Sequence, residues 1–384
     1  MTPRTVLILG GGIGGLTVAT RLRRSLPSQH RVVLIEREPS FVFAPSFLWL
    51  MTGGRTARQI SRPLARVARR GIEVVHGEIE HINPEAREVV VSGRRLTGDY
   101  LVVALGAELA PGSISGLAEA GHNVYTLAGA EAFRDAFAEF SGGKLVVLTA
   151  APAYKCPAAP YEAAMLLEAA CRTRGIRAGT QIALYAAEPG PMGVAGPAVS
   201  AAVRQMVEAK GIAYHPEHQV QTADAKVRRL HFANGAEASY DLLAFVPPHR
   251  APRVVRESGL VGESGWISVN RHTLETKHAG VYALGDVATI PLALGKPLPK
   301  AGVFAGAQAE VVATNIARAV TGKGKPTTFN GDGGCFIEVG DGMAGFGQGN
   351  FYAEPVPQIK LRSPGRLWHG AKVLLEKDWL WRRL

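Results

Sequence analysis

The chain has 384 residues, 47% of them hydrophobic and 20% charged, and a formal net charge of +11. That length accommodates two or three domains with complete cores, and no apolar run reaches the ~18 residues of a spanning helix. Three cysteines far apart, Cys156, Cys171 and Cys335, exclude a disulfide framework and offer no CxxC metal spacing, so no metal is expected. The basic residues accompany no DNA- or RNA-binding motif, so no nucleic-acid partner is expected.

Val6-Leu-Ile-Leu9 runs at once into glycines, with no basic segment ahead of it, which predicts no cleaved signal peptide and a cytoplasmic chain. Residues 5–10 read as a strand, 14–26 as a helix and Arg31-Val-Val-Leu-Ile-Glu36 as a second strand. In this βαβ unit Gly10 permits the tight turn, Gly12 lets the backbone approach a pyrophosphate, and Gly15 allows close helix–strand packing. Glu36 follows Gly15 at about 20 residues, the spacing of an acid that holds a ribose hydroxyl, with Arg37 beside it as a further contact. The helix N-terminus adds donors and positive partial charge. Together these predict a dinucleotide site.

Arg58, Arg62, Arg66 and Arg69 then recur at helical spacing, read as a solvated helix face, with an anionic membrane surface or acidic partner as the alternative. Short strands follow at 72–75 and 88–91, and Asp99-Tyr-Leu-Val-Val-Ala104-Leu-Gly106 reads as a strand and turn. Residues 144–149 and 181–186 look like the first strands of a second unit, with a helix at 160–173 between them. The first of these strands runs into Ala150-Ala-Pro152-Ala-Tyr-Lys-Cys156-Pro-Ala-Ala-Pro160, which has no glycine for a pyrophosphate and has a cysteine instead. Helices are expected at 198–210 and about 301–320, and buried strands at 240–246 and before Gly285-Asp286. The tail from 331 is glycine-rich and then amphipathic.

Gly10, Gly12 and Gly15 with Glu36, the Ala104-Leu-Gly106 turn and Gly280-Val-Tyr-Ala-Leu-Gly285-Asp286 resemble the two-dinucleotide-domain flavoproteins, which include the pyridine nucleotide–disulfide reductases. The resemblance covers nearly the whole chain. It implies an α/β fold with two Rossmann-like, glutathione-reductase-type domains and a C-terminal amphipathic helical region. The expected division is 1–110 with 270–330 for FAD, 111–269 for a second domain degenerate for NAD, and 331–384 for the C-terminal region. By the same resemblance Asp286 and Gly285 hold the ribityl chain of a non-covalent FAD. Leu105 stands where the family usually has threonine.

Within that family, Ala153-Tyr-Lys-Cys156-Pro-Ala-Ala-Pro160-Tyr-Glu162, Pro299-Lys300-Ala-Gly302-Val303-Phe304, Cys335-Phe336 and the tail Lys372 to Arg383 look like sulfide:quinone oxidoreductases and the flavin subunit of flavocytochrome c sulfide dehydrogenase. The resemblance implies a Cys156–Cys335 redox pair flanking the flavin, with Cys335 on the flavin side. The third cysteine that many of those enzymes carry is missing from its usual place, and Cys171 reads as a core thiol. No cysteine lies near Phe43-Ala-Pro-Ser46 to tether a flavin covalently, and no CxxCH haem site is present.

Hydrosulfide could attack the paired cysteines, leaving a persulfide on one and a thiolate on the other, with two electrons leaving to FAD and then to a quinone. The alternative is two inert buried thiols. Glu162 is either a charge partner of its helix or a proton acceptor near sulfur. By the resemblance, Lys300, Gly302 and the N-terminus of helix 301–320 are expected at the flavin pyrimidine edge, or Lys300 is simply solvated. Val303, Phe304 and Phe336 are candidate quinone contacts or ordinary core. Leu367, Trp368, Leu374, Leu375, Trp379, Leu380 and Trp381, interleaved with basic residues, suit a helix lying on the inner face of a membrane, or one docked on the protein's own core or a second subunit. Competing functions are an NAD(P)H-dependent flavin reductase, such as an NADH:quinone oxidoreductase, and a flavin electron-transfer module that needs a partner. Homo-oligomerisation is left open.

Overall fold

The computed structural model describes residues 2–384. Two five-stranded parallel sheets organise it. The first has the order Val281–Ala283, Tyr100–Val103, Thr5–Leu9, Arg31–Glu36, Glu73–His76. The second has the order His122–Asn123, Leu242–Val246, Gly143–Thr149, Thr180–Ala186, Ala213–His215. Parallel sheets are covered on both faces, so their central strands are apolar at every position rather than at alternate ones. Val6, Ile8, Val32 and Leu34 face one cluster, and Leu7, Leu9, Val33 and Ile35 the other.

Helix Ile13–Ser25 lies on the first sheet and packs along helix Gly302–Thr321. Gly302 permits this contact, because a Cβ there would sit 2.7 Å from Ile13 Cδ1. Helix Ala159–Thr173 covers the second sheet, with Tyr161, Ala164 and Met165 fully buried against it. Glu108–Leu109 pairs with His249–Arg250 where the chain passes between the domains. Beyond that crossing, Ala251, Val255, Leu260 and Ile267 share a core with Leu7 and Leu9. The segment after 250 therefore packs with the first domain, although the sequence reading assigned it to the second as far as 269.

Two segments differ from expectation. The arginine run does not form one helical face. Helix Ala57–Ile60 stops at strand Ser61–Pro63, which pairs with Ser40–Val42, before a second short helix at Ala65–Ala68. Pro63 cannot continue a helix.

The glycine-rich tail is a three-stranded antiparallel sheet, Asp332–Gly340, Met343–Asn350 and Gln358–Gly365. Gly340 and Gly342, at φ 85° and 67°, make its first turn, whereas glycines within its strands answer to close approach: a Cβ on Gly349 would lie 1.8 Å from the carbonyl oxygen of Gln358, and one on Gly333 would lie 2.3 Å from Phe304 Cε1. Helix Arg366–Lys377 and a wider π-helical turn, Asp378–Arg383, follow. Among the described residues no helix is long and apolar enough to cross a membrane.

Gly349→Ala is expected to cost at least about 1–3 kcal/mol, because the methyl group must displace backbone on the neighbouring strand. Thermal unfolding checks this. An unchanged midpoint would mean that the sheet opens there without penalty.

Candidate active site

The glycine turn has the shape of a dinucleotide cradle. A Cβ on Gly10 would lie 2.5 Å from Ala104 O and one on Gly15 would lie 1.9 Å from Gly10 O, whereas nothing lies within 4 Å of one on Gly12. Gly12 therefore opens onto free space at the start of helix Ile13–Ser25, which no side chain caps. Glu36 takes hydrogen bonds from the Gly11 and Glu38 amides, at 2.6 and 3.0 Å, and so sits at the turn. Arg37 is exposed and lies near Glu38 and Glu78, at 3.6 and 3.5 Å.

Gly106 and Gly285 both take left-handed φ, 68° and 73°. Beside Gly285, Asp286 is half-buried, burial raises its carboxyl pKa, and Oδ1, itself closed off from solvent, has no hydrogen-bond partner. A buried acceptor without a donor costs about 1–3 kcal/mol, and a ligand hydroxyl would remove that cost. The cradle and the orphaned carboxylate together fit FAD.

The cysteine loop replaces a second phosphate turn. Strand Gly143–Thr149 ends, and before helix Ala159–Thr173 the chain puts Ala153 and Cys156 into left-handed φ, 66° and 51°, with no glycine. Such non-glycine conformations cost about 1–3 kcal/mol each and persist where surrounding contacts enforce them. Here the Cys156 amide donates to Lys300 O at 2.7 Å, and its carbonyl accepts from Tyr125 Oη at 3.1 Å.

Cys335 approaches from the C-terminal sheet, on strand Asp332–Gly340. Both cysteines are free thiols with limited solvent access. Burial pushes the Cys335 thiol up to about 12, with Glu162 adding to the shift and Lys372 opposing it. Burial also raises Cys156, as do the neighbouring Cys335 and Glu162. Each thiol thus lies in the electrostatic reach of the same carboxylate and ammonium. Cys171 is fully buried on the far part of its helix, as a core thiol should be.

Glu162 is more than the first acid of its helix. Its Oε1 accepts from Lys372 Nζ at 2.6 Å and from the Glu338 amide at 2.8 Å, and both side chains of the ion pair are buried. Burial disfavours the Lys372 ammonium, but Glu162 and Glu338 outweigh it and raise the pKa. Glu338 in turn meets His369 Nδ1 at 3.0 Å. The sequence reading had Lys372 only as a basic residue of the tail and did not name Glu338 or His369, since only the tertiary fold joins residues so far apart. His249 was also missed. It is neutral, with burial holding its pKa down to about 3; Nδ1 faces Pro247 O and Nε2 is buried without a partner.

Lys300 is neither solvated nor directed outward. Its ammonium donates to the Asp286 and Ala288 carbonyls, at 2.6 and 3.2 Å, and lies over the Trp266 ring. Burial lowers its pKa to about 8.

Glu188 follows the second strand of the second domain, where a nucleotide-binding domain would use an acid for ribose. Tyr154, Tyr161 and Thr149 all donate to it instead.

Of the candidate quinone contacts, Phe304 is core, packed edge-on against Phe329 and Phe351. Val303 is exposed. Phe336 begins an aromatic row, with Phe346 at 4.9 Å and Trp368 a further 4.8 Å on.

The C-terminal stripe is split. Trp379 and Leu380 are buried in the first domain, Trp379 stacked on Phe41, while Leu367, Leu374 and Trp381 face outward, 75%, 70% and 58% exposed. Arg62 and Arg66 lie over the Trp381 ring, at 4.1 and 5.8 Å. The arginine run thus meets the C-terminus, and the exposed face is both apolar and basic.

A family model described as pyridine nucleotide-disulphide oxidoreductase matches residues 4–309. The chain is 28% identical to the sulfide-quinone reductase of Aquifex aeolicus, over 98% of this chain and 90% of that protein. It is 26% identical to the mitochondrial sulfide:quinone oxidoreductase of Mus musculus, over 74% of this chain and 66% of that one. The solved structure of the Aquifex aeolicus sulfide:quinone oxidoreductase superposes with a TM-score of 0.89 at 26% identity, covering 99% of this chain and 91% of the other.

At pH 8 a thiol with a pKa of about 12 is about one part in ten thousand thiolate, some thousandfold below an ordinary cysteine. Alkylation of reduced Cys335 should accordingly be slow and should rise about tenfold per pH unit. Lys372→Met removes the opposing charge, so alkylation should slow further. It also strands Glu162 in the interior, at a cost of about 3–5 kcal/mol. Peptide mass analysis after timed alkylation, with a thermal melt, reads both. Faster alkylation of the variant would contradict the assigned role of Lys372.

Proposed function

The chain belongs to the pyridine nucleotide-disulphide oxidoreductase family, and from that premise we propose that it is an FAD-dependent sulfide:quinone oxidoreductase. The observation that carries the reading is the cysteine loop: where a second dinucleotide would meet glycines, Cys156 stands in an enforced left-handed turn within electrostatic reach of Cys335. Similarity to sulfide:quinone oxidoreductases along nearly the whole chain supports it. The NAD(P)H-reductase alternative is disfavoured because the turn lacks glycine and Glu188 is already engaged by three hydroxyls.

Gly10, Gly12, Gly15, Glu36, Ala104, Gly106, Gly285 and Asp286 would hold FAD, with Asp286 Oδ1 taking a hydroxyl of the ribityl chain. Bound there, FAD supplies a two-electron acceptor. The chain's own residues do the sulfur work. A Cys156–Cys335 disulfide presents a sulfur electrophile to hydrosulfide: one new S–S bond forms, the old one breaks, and the released cysteine leaves as thiolate. Lys372 stabilises that thiolate, while the partial burial of both cysteines limits competing water. The Lys300 ammonium, anchored on the Asp286 and Ala288 carbonyls, keeps positive charge beside the ribityl position.

A lipid quinone would enter along Phe336, Phe346 and Trp368, which run from the C-terminal sheet to the C-terminal helix. Leu367, Leu374 and Trp381, with Arg62 and Arg66, would rest that helix on a membrane interface. A peripheral placement on the cytoplasmic side goes with this reading.

Sulfide alone should bleach the flavin anaerobically, a quinone analogue should restore it, and NADH should leave it oxidised. Cys156→Ser and Cys335→Ser should each abolish the sulfide response with flavin retained. Bleaching by NADH without a response to sulfide would refute the proposal. Leu374→Glu with Trp381→Glu should reduce sedimentation with anionic vesicles several-fold and leave sulfide bleaching in solution unchanged. Undiminished sedimentation would refute the membrane face.

A further inference from the structure

A row of four ionisable side chains runs from the cysteine chamber to the surface. Lys372 Nζ lies 2.6 Å from Glu162 Oε1 and 4.0 Å from Glu338 Oε1, and Glu338 Oε2 lies 3.0 Å from His369 Nδ1. The side chains of Glu162, Lys372 and Glu338 are 2%, 8% and 1% exposed, whereas His369 is 31% exposed. One end acts electrostatically on both thiols, and the other meets solvent. Burying such a row is no route to stability, since apolar residues of like volume usually serve as well or better. Its persistence asks for a use.

Hydrosulfide brings one proton into this chamber. After attack on the disulfide, the new S–S bond joins the sulfide sulfur to one cysteine, and the electron pair of the broken bond resides on the other as thiolate. The proton remains on the terminal sulfur of the persulfide. It must leave before that sulfur can act as an anion, and the half-buried thiols sit where burial disfavours charge.

We propose that Glu162, Lys372, Glu338 and His369 are the proton exit of the sulfur site, with His369 as the port to solvent. The proposal rests on the sulfide-oxidising reading above. Glu162 takes the proton from the persulfide. Lys372 passes one to Glu338 as it receives one from Glu162. Glu338 gives one to His369, which loses it to water. Each member returns to its starting charge, and the persulfide anion is one proton poorer.

The surroundings of His369 leave this direction open. Glu338 faces it from the strand and Lys372 lies one turn along its own helix. The Trp49 ring stands edge-on at 5.8 Å, and the other cation over that ring, Arg55, is committed to Glu376. His369 is a relay residue and touches no reacting atom, so its role should appear as rate and rescue, with the site itself intact.

The test mixes holoenzyme with sulfide anaerobically in a stopped-flow instrument, following flavin absorbance and a pH-indicator dye together. In the wild type, one proton should appear in solution ahead of bleaching and one should be taken back as the flavin is reduced. In His369→Gln proton release and bleaching should both slow by on the order of tenfold or more, with flavin content and melting point unchanged. Imidazole in the buffer should restore most of the rate. Glu338→Gln should show the same defect without imidazole rescue, because the break then lies inside the protein. Wild-type rates in His369→Gln from about pH 6 to about pH 9 would overturn the proposal. So would a slowing that is constant across pH and indifferent to imidazole, the mark of a structural defect. A wild-type protein that ignores sulfide would overturn the sulfide reading and the exit with it, whereas normal wild-type bleaching with an unaffected variant overturns the exit alone.

Discussion

The buried pair of Lys372 with Glu162 holds the site together. Lys372 comes from the C-terminal helix and Glu162 from the helix behind the cysteine loop, 210 residues apart in the chain. A single ammonium thus neutralises the carboxylate that would otherwise repel both thiolates, and it fixes the C-terminal helix to the second domain. A matching pair, Glu376 with Arg55 and Ser46, fixes the same helix to the first domain. The sheet that carries Cys335 is clamped between them. Its strand also crowds helix Ala159–Thr173 directly, since a Cβ on Gly340 would lie 2.5 Å from Ala169 Cβ. These contacts bring Cys335 into electrostatic reach of Cys156.

The second domain shows how a nucleotide fold can be turned to other chemistry with its sheet unchanged. Strand, turn and helix are all retained, with the full parallel register from Gly143 to Thr149. Only the turn and the acid have changed use. The turn has lost glycine and gained a cysteine held in a left-handed conformation by Lys300 O and Tyr125. The acid, Glu188, is saturated by hydroxyls of the same loop and helix. What would have been a second cofactor site is filled from within, and the left-handed strain is concentrated in the cysteine loop, at Ala153 and Cys156.

The first βαβ unit was readable because each constraint writes itself locally: burial on both faces gives unbroken apolar runs, and close backbone approach demands glycine at 10 and 15. The cysteine loop was readable by what it lacks. The C-terminal sheet was not, because Gly333, Gly334 and Gly349 resemble turn residues while serving close packing inside strands. The arginine run suggested a helix, yet Pro63 divides it and Trp381 gathers two of its side chains. The Lys372, Glu338 and His369 row left no local trace, since its partners meet only after folding. Nor did the sequence show that the C-terminal helix turns Lys372 and Glu376 inward and Leu367 and Leu374 outward, the reverse of an ordinary surface helix.

The most direct measurement is the position of sulfur after a single equivalent of sulfide. Oxidised holoenzyme is treated anaerobically, quenched with an alkylating agent, digested and weighed. One added sulfur on the Cys156 or Cys335 peptide, with the Cys171 peptide unmodified, is the predicted result. No added sulfur on either, with the flavin nonetheless reduced, would contradict a cysteine-centred chemistry in this chain.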